Sequence, residues 1–161
     1  MKNIHTVSKT ILMLFFICGL QHTALVAQKP SQPFLSTIDS LLNKRPVHYE
    51  DIHTPFKQFV NDTNALRYFA NKSLKANYNA GSSYSLNHIG IIARKNSEFR
   101  KALILHDQAL QRATYGNNIE FKIFSLNMLG TTYRRTDAIP NALDYHQKAL
   151  ELSETIENPN V

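Results

Sequence analysis

The feature that most constrains this chain is an internal repeat. Ser85-Leu86-Asn87-His88-Ile89-Gly90 aligns with Ser125-Leu126-Asn127-Met128-Leu129-Gly130 at a shift of 40 residues. The register holds downstream, with Arg94 over Arg134, Ala102-Leu103 over Ala142-Leu143, His106 over His146 and Ala109-Leu110 over Ala149-Leu150. Unrelated amphipathic helices share Leu and Ala through composition alone, but not Gly, Asn, Arg and His in register. A fixed period of this size belongs to stacked supersecondary units, each too small to bury its apolar face alone.

Each unit reads as two helices. Leu86, Ile89, Gly90 and Ala93 stand at i, i+3, i+4 and i+7, and Leu126, Leu129, Gly130 and Tyr133 repeat that stripe. Ala102, Leu103, His106, Ala109, Leu110 and Ala113 mark the second helix. Ser97 and Asp137 are the expected N-caps of the second helices, and Pro140 then falls in a first turn, where a missing N–H costs little. Gly within a helix costs about 1 kcal/mol relative to Ala, so Gly90 and Gly130 predict a close crossing against the small residues Ala102, Ala109, Ala142 and Ala149.

These residues carry a family resemblance. Leu129-Gly130-x-x-Tyr133 followed by Ala142-x-x-x-His146-x-x-Ala149 resembles the tetratricopeptide (TPR) repeat. The upstream unit departs from it with Ala93 where an aromatic is usual, and Leu86 and Leu126 stand where the signature Trp would be. The period exceeds the usual length of about 34 by six residues, an excess expected in the Tyr115–Lys122 connection. This longer form resembles the exported sensor region of bacterial TPR signalling proteins. The resemblance implies an all-α, antiparallel helix-pair solenoid that binds a protein or peptide.

Upstream, Ala65-Leu66-x-x-Phe69-Ala70-x-x-Ser73-Leu74 has the pattern of a second helix capped by Asp62, and Phe34, Ile38, Leu41 and Leu42 predict a short helix ended by Arg45-Pro46. The first residues have another logic. Lys2, His5 and Lys9 precede the apolar run Ile11 to Leu20, and Ala24-Leu25-Val26-Ala27 follows, the layout of a secretory signal peptide cleaved after Ala27. An uncleaved anchor through residues 10–27 is the alternative. The expected organisation is a signal peptide over 1–27 and a helical lead-in over 28–61. Residues 62–82 would then be the second helix of a degenerate first unit, 83–122 a full unit and 123–161 a last unit. That last unit stops before any capping helix, so the chain is expected to be a truncated piece or to self-associate through its uncapped end, where Leu143, Ala149, Leu150 and Ile156 would lie.

Cleavage would remove Cys18, the one cysteine, and with it disulfide and thiolate chemistry. The chain has 18 Lys and Arg against 12 Asp and Glu, a net charge of +6, without a basic block of the kind that binds nucleic acid. The mild excess suits an acidic partner instead. No nucleophile motif, phosphate loop or His-Glu-x-x-His pattern occurs. His106 and His146 repeat in register, which implies packing; His88 flanks its stripe and is expected to face solvent or a partner. No catalytic residue, metal ligand, cofactor or small-molecule substrate is expected, although a metal-dependent hydrolase using the histidines is the rival class.

The binding surface implied by the resemblance is the concave face of the first helices. Its candidate residues are Tyr84, Asn87, Ile91, Arg94 and Lys95, repeated as Phe124, Asn127, Thr131, Arg134 and Arg135. An Asn from each unit would hold a peptide backbone, and the cations would meet acidic side chains or a terminal carboxylate. The expected function is an exported protein–protein interaction module, either the sensor or scaffold region of a signal-transduction protein or a small secreted or membrane-anchored adaptor. Its expected location is the periplasm or another extracytoplasmic space.

Overall fold

The computed structural model describes residues 31–157; the signal segment expected over 1–27 and the final turn lie outside them. The described residues form seven α-helices without a strand: α1 (Gln32–Lys44), α2 (Tyr49–Phe56, continued by a 3-10 turn over Lys57–Phe59), α3 (Thr63–Lys75), α4 (Asn79–Lys95), α5 (Phe99–Tyr115), α6 (Ile119–Arg134) and α7 (Ile139–Glu157). From α3 onward each helix packs chiefly on its sequence neighbours. The short connections force those neighbours to run antiparallel. The architecture is an all-α helix-pair solenoid. No helix of the described residues is long and apolar enough to cross a membrane.

The turns are built on one device. Asn77, Ser97, Asn117 and Asp137 all adopt left-handed backbone, with φ of 52°, 62°, 46° and 56°. At each, two amides return to the helix just ended: Ser97 N–H donates to Arg94 O at 3.0 Å and Glu98 N–H to Ala93 O at 2.9 Å, and Asn117 and Asn118 do likewise to Thr114 and Ala113. This is the Schellman arrangement, which satisfies carbonyls that a helix end leaves orphaned. Ser97 and Asp137 are therefore not N-caps; they close α4 and α6. Asn and Asp tolerate this backbone better than other non-glycine residues, which explains three of the four positions. N-capping by side chains occurs elsewhere, with Asp62 Oδ1 accepting from the amides of Asn64 and Ala65, and Asn118 Oδ1 from that of Phe121.

The left-handed residues recur every 20 positions, so the long period has no long connection. The joint between α5 and α6 is only Gly116-Asn117-Asn118, and the added residues lie inside helices of 17, 17, 16 and 19 residues. Most of the span expected to be a loop, Ile119–Lys122, is the first turn of α6, held there by fully buried Phe121.

The core is aromatic at the N-terminal end. Phe34, Ile38 and Leu41 of α1, Ile52 and Phe56 of α2, and Leu66 and Phe69 of α3 join Tyr78, Tyr84 and Phe121 in one buried cluster. Phe56 and Phe69 stack at 5.2 Å, and the Phe34 ring meets Phe59 edge-on at 5.0 Å. The lead-in is thus part of the fold.

Farther along, small residues and imidazoles replace the aromatics. An ideal Cβ on Gly90 would lie 2.5 Å from Cε1 of His106, and one on Gly130 2.8 Å from Nε2 of His146. The glycines therefore make room for an imidazole from the second helix, rather than for Ala102 or Ala142 as the stripe suggested. His106 is fully buried while His146 is only half-buried, so their freedom to move aside differs. Gly90→Ala gains about 1 kcal/mol of helix propensity but incurs overpacking of about 1–3 kcal/mol, and is expected to destabilise. Gly130→Ala meets a ring that can swing outward and is expected to be neutral or slightly stabilising. Urea unfolding of both variants decides it; equal effects would contradict the imidazole hollow.

Candidate functional site

The expected binding residues divide into three groups once the helices are in place. The first is a polar relay. His106 Nδ1 donates to Asn87 Oδ1 at 2.9 Å, an amide oxygen that can only accept, which sets the tautomer with the proton on Nδ1. Asn87 Nδ2 donates to Ser125 Oγ at 2.8 Å, and that hydroxyl donates to Phe121 O at 2.8 Å. One chain of donors links α5 to α4 and α4 to α6. Asn87 is fully buried, so it is no peptide-binding residue. Asn127 repeats the first link, accepting from His146 Nδ1 at 3.0 Å. The Asn that suggested a backbone clamp for a ligand clamps the protein's own histidine.

The second group lies beneath α2. The Tyr49 ring sits 5.6 Å from Tyr84, 6.2 Å from Phe121 and 5.2 Å from Phe124, bridging α4 and α6. Glu120 of α6 ties down the start of α2: its carboxylate accepts from the Tyr49 amide at 3.0 Å and lies 3.1 Å from His48 Nδ1. Asn118 Nδ2 donates to Val47 O at 2.7 Å. Glu120 thereby caps an orphan first-turn amide from outside the helix, where negative charge also suits the dipole. Tyr84 is fully buried and Phe124 half-buried, so the segment from Val47 to Phe56 occupies the face on which they were expected to receive a ligand. Sequence reasoning missed this because α2 has no counterpart in the repeat and carries Pro55 inside its last turn.

A cluster of titratable aromatics fills the junction. The Tyr49 hydroxyl lies 3.1 Å from His88 Nε2 and 3.3 Å from His53 Nδ1, and the Tyr84 hydroxyl lies 3.0 Å from His53 Nδ1. Expected to face solvent or a partner, His88 is instead buried, with Tyr84 at 4.4 Å between ring centres. Burial, reinforced by His53 and Lys95, lowers His88 to about 4. Burial likewise lowers His106 to about 3, with Arg94 and His88 adding to it. Among the described residues no three His, Cys, Asp or Glu side chains gather as a metal would require.

The third group remains available. Arg94 and Lys95 end α4, and Arg134 and Arg135 stand at the end of α6. Lys95, Arg134 and Arg135 are exposed, while Arg94 and the neighbouring Ile91 and Thr131 are half-buried. Arg94 Nη1 points at Met128 Sδ, 3.8 Å away, a weak acceptor. None of the ion pairs among the described residues includes any of the four cations. Burial, with repulsion from Arg135 and Arg134, lowers the Arg94 pKa, although a guanidinium stays charged at any ordinary pH.

A model of the tetratricopeptide repeat family matches residues 81–155, the span from α4 to α7. These helices are tetratricopeptide repeats. Comparison with curated proteins and with solved structures returned no match. TPR helices form a non-catalytic scaffold that binds proteins or peptides, and this region is a protein–protein interaction module. Here the relay and the α2 cover remove Tyr84 and Asn87 from its binding surface and leave a basic edge.

Two outcomes follow. Asn87→Ala leaves the buried His106 Nδ1–H without an acceptor and Ser125 Oγ without its donor, although Ser125 still donates to Phe121 O, and is expected to cost about 2–3 kcal/mol, against under about 1 kcal/mol for Asn127→Ala, where water reaches; equal losses by chemical denaturation would remove the relay's special weight. The second outcome concerns pH. In the unfolded chain His88 and His106 titrate near about 6.5, whereas the fold holds both neutral well below that. Their contribution is complete above about pH 6.5 and is lost as pH falls, toward about 4 for His88 and about 3 for His106, at up to about 1.4 kcal/mol per unit for each group. The urea midpoint should fall through this window; a flat profile would mean the imidazoles accept protons in the fold.

Proposed function

We propose that this chain is an exported interaction module whose basic edge, Arg94, Lys95, Arg134 and Arg135, holds an acidic segment or terminal carboxylate of a protein partner. The observation that carries the reading is four cations gathered at the ends of α4 and α6, in none of the ion pairs among the described residues. Guanidinium groups bind carboxylates in two-pronged geometry, which favours Arg at such an edge. The cations also sit where a helix C-terminus favours positive charge, so the edge is stable unoccupied and gains further from an arriving anion.

Export rests on the positive start, the ten-residue apolar run Ile11 to Leu20 and the small-residue end at Ala27. In an extracytoplasmic setting, the module acts as the sensor or scaffold region of a signalling protein, with partner capture as the sensed event. Fusing residues 1–40 to a reporter enzyme active only outside the cytoplasm tests export; an inactive fusion removes it.

The binding edge has its own test. A fluorescent Asp- and Glu-rich peptide should bind with an affinity that falls as salt rises, and a neutral scramble should not. Arg134→Glu with Arg135→Glu should weaken the acidic peptide at least tenfold, with the helical circular dichroism unchanged. Equal binding of the scramble, or full binding by the variant, returns these residues to a solvated surface.

A further inference from the structure

The two repeats carry equivalent grooves on the side formed by the second helices, and the grooves have diverged. One, of about 880 Å³, lies between α3, α4 and α5. The other, of about 410 Å³, lies between α5, α6 and α7. Arg67, Asn71, Ile89 and Leu105 line the first where Asp107, Gln111, Leu129 and Tyr145 line the second, each pair one repeat apart. In the second groove Tyr133 and Tyr145 stack at 5.4 Å and take up space. In the first, Ala93 and Leu105 occupy those two repeat positions and leave it open. Its walls are apolar, with Leu74, Leu86, Ile89 and Ile104 among them, and its rim carries Arg67, Arg100 and Lys101. Lys101 pairs with Glu98, while neither Arg67 nor Arg100 enters an ion pair among the described residues.

The opposite chemistry lies on α7. Leu143 and Leu150 are 65% and 59% exposed, share a stripe with exposed Ile139 and are flanked by exposed Glu151 and Glu154. Ala149, expected on the same face, is turned inward and buried. An apolar stripe bordered by carboxylates matches an apolar groove bordered by free guanidiniums. Pairing two stripes with each other instead would set carboxylates near carboxylates, a repulsion the groove replaces with attraction.

We infer that the α3–α4–α5 groove receives the α7 stripe of a second copy of this chain. Groove and stripe lie on different helices, so the contact joins unlike surfaces: repeated in one direction it runs head to tail, and made reciprocally by two copies it closes as a two-fold dimer. This assignment is independent of the basic edge at Arg134 and Arg135.

Sedimentation of the full chain over a concentration series tests it. The wild type should self-associate as concentration rises, to a dimer if the two contacts close on each other and further if they run head to tail. A groove variant, Arg67→Glu with Arg100→Glu, and a stripe variant, Leu143→Glu with Leu150→Glu, change exposed side chains and should each be monomeric with unchanged circular dichroism; if a Glu pair alters the fold, Gln takes its place. Mixed in equal amounts, the two should form a one-to-one dimer and stop there, since one intact groove meets one intact stripe. A wild type that stays monomeric overturns the inference, as does a groove variant that associates like wild type or a mixture that does not pair. A groove variant that keeps self-association but loses an acidic amphipathic peptide would assign the groove to another protein, which also overturns it.

Discussion

The hydrogen bond from a second-helix histidine to a first-helix asparagine, His106 to Asn87 and His146 to Asn127, is the contact on which the repeat geometry depends. A buried imidazole needs a partner for its N–H and space for its ring. Asn supplies the first, and a glycine one helical turn farther on, Gly90 or Gly130, supplies the second. Two features that each cost stability alone, a polar group in a dry core and Gly inside a helix, are compensated by one another. In the first repeat the asparagine has a second use, because its amide donates onward to Ser125 and so joins one unit to the next. A polar chain of this kind is directional, and it holds the relative placement of α5, α4 and α6 more narrowly than apolar contact alone.

At the other end the same solenoid is held by aromatics. The lead-in helices bring Phe34, Ile52 and Phe56 against Phe69 and Tyr84, and Glu120 reaches back from α6 to secure the start of α2. This closes the inner face where a TPR groove would otherwise begin. What stays exposed of the proposed binding residues is at the helix ends, with Lys95, Arg134 and Arg135, and open grooves lie between the second helices.

The repeats are alike where they support each other and different where they meet their surroundings. Asn, Gly, His and the paired Ala recur because the crossing demands them. Ala93 against Tyr133, Leu105 against Tyr145 and Arg67 against Asp107 lie beyond that demand, and they make one groove open and basic and the other filled and acidic. Divergence of this kind gives two copies of one helix pair unlike surfaces without disturbing the shared core.

Much of the fold was legible in the sequence because its signals are local or periodic: the 40-residue register, the apolar stripes and the Asp62 cap all follow from spacing along the chain. The turn chemistry was half legible. Ser97 and Asp137 were visible as punctuation, but whether such a residue opens the next helix or closes the last depends on a backbone φ that its side chain does not dictate. Which way Asn87 and Tyr84 face was not legible at all. Both stand off the apolar stripe, and a position off the stripe is exposed only if nothing else lies over it. The repeat itself determined the helices, their pairing and the register of Gly with His. Only the tertiary structure decided that α2, a segment without repeat signature, would cover α4 and α6, because that choice rests on contacts between residues some 70 positions apart, such as Tyr49 with Glu120.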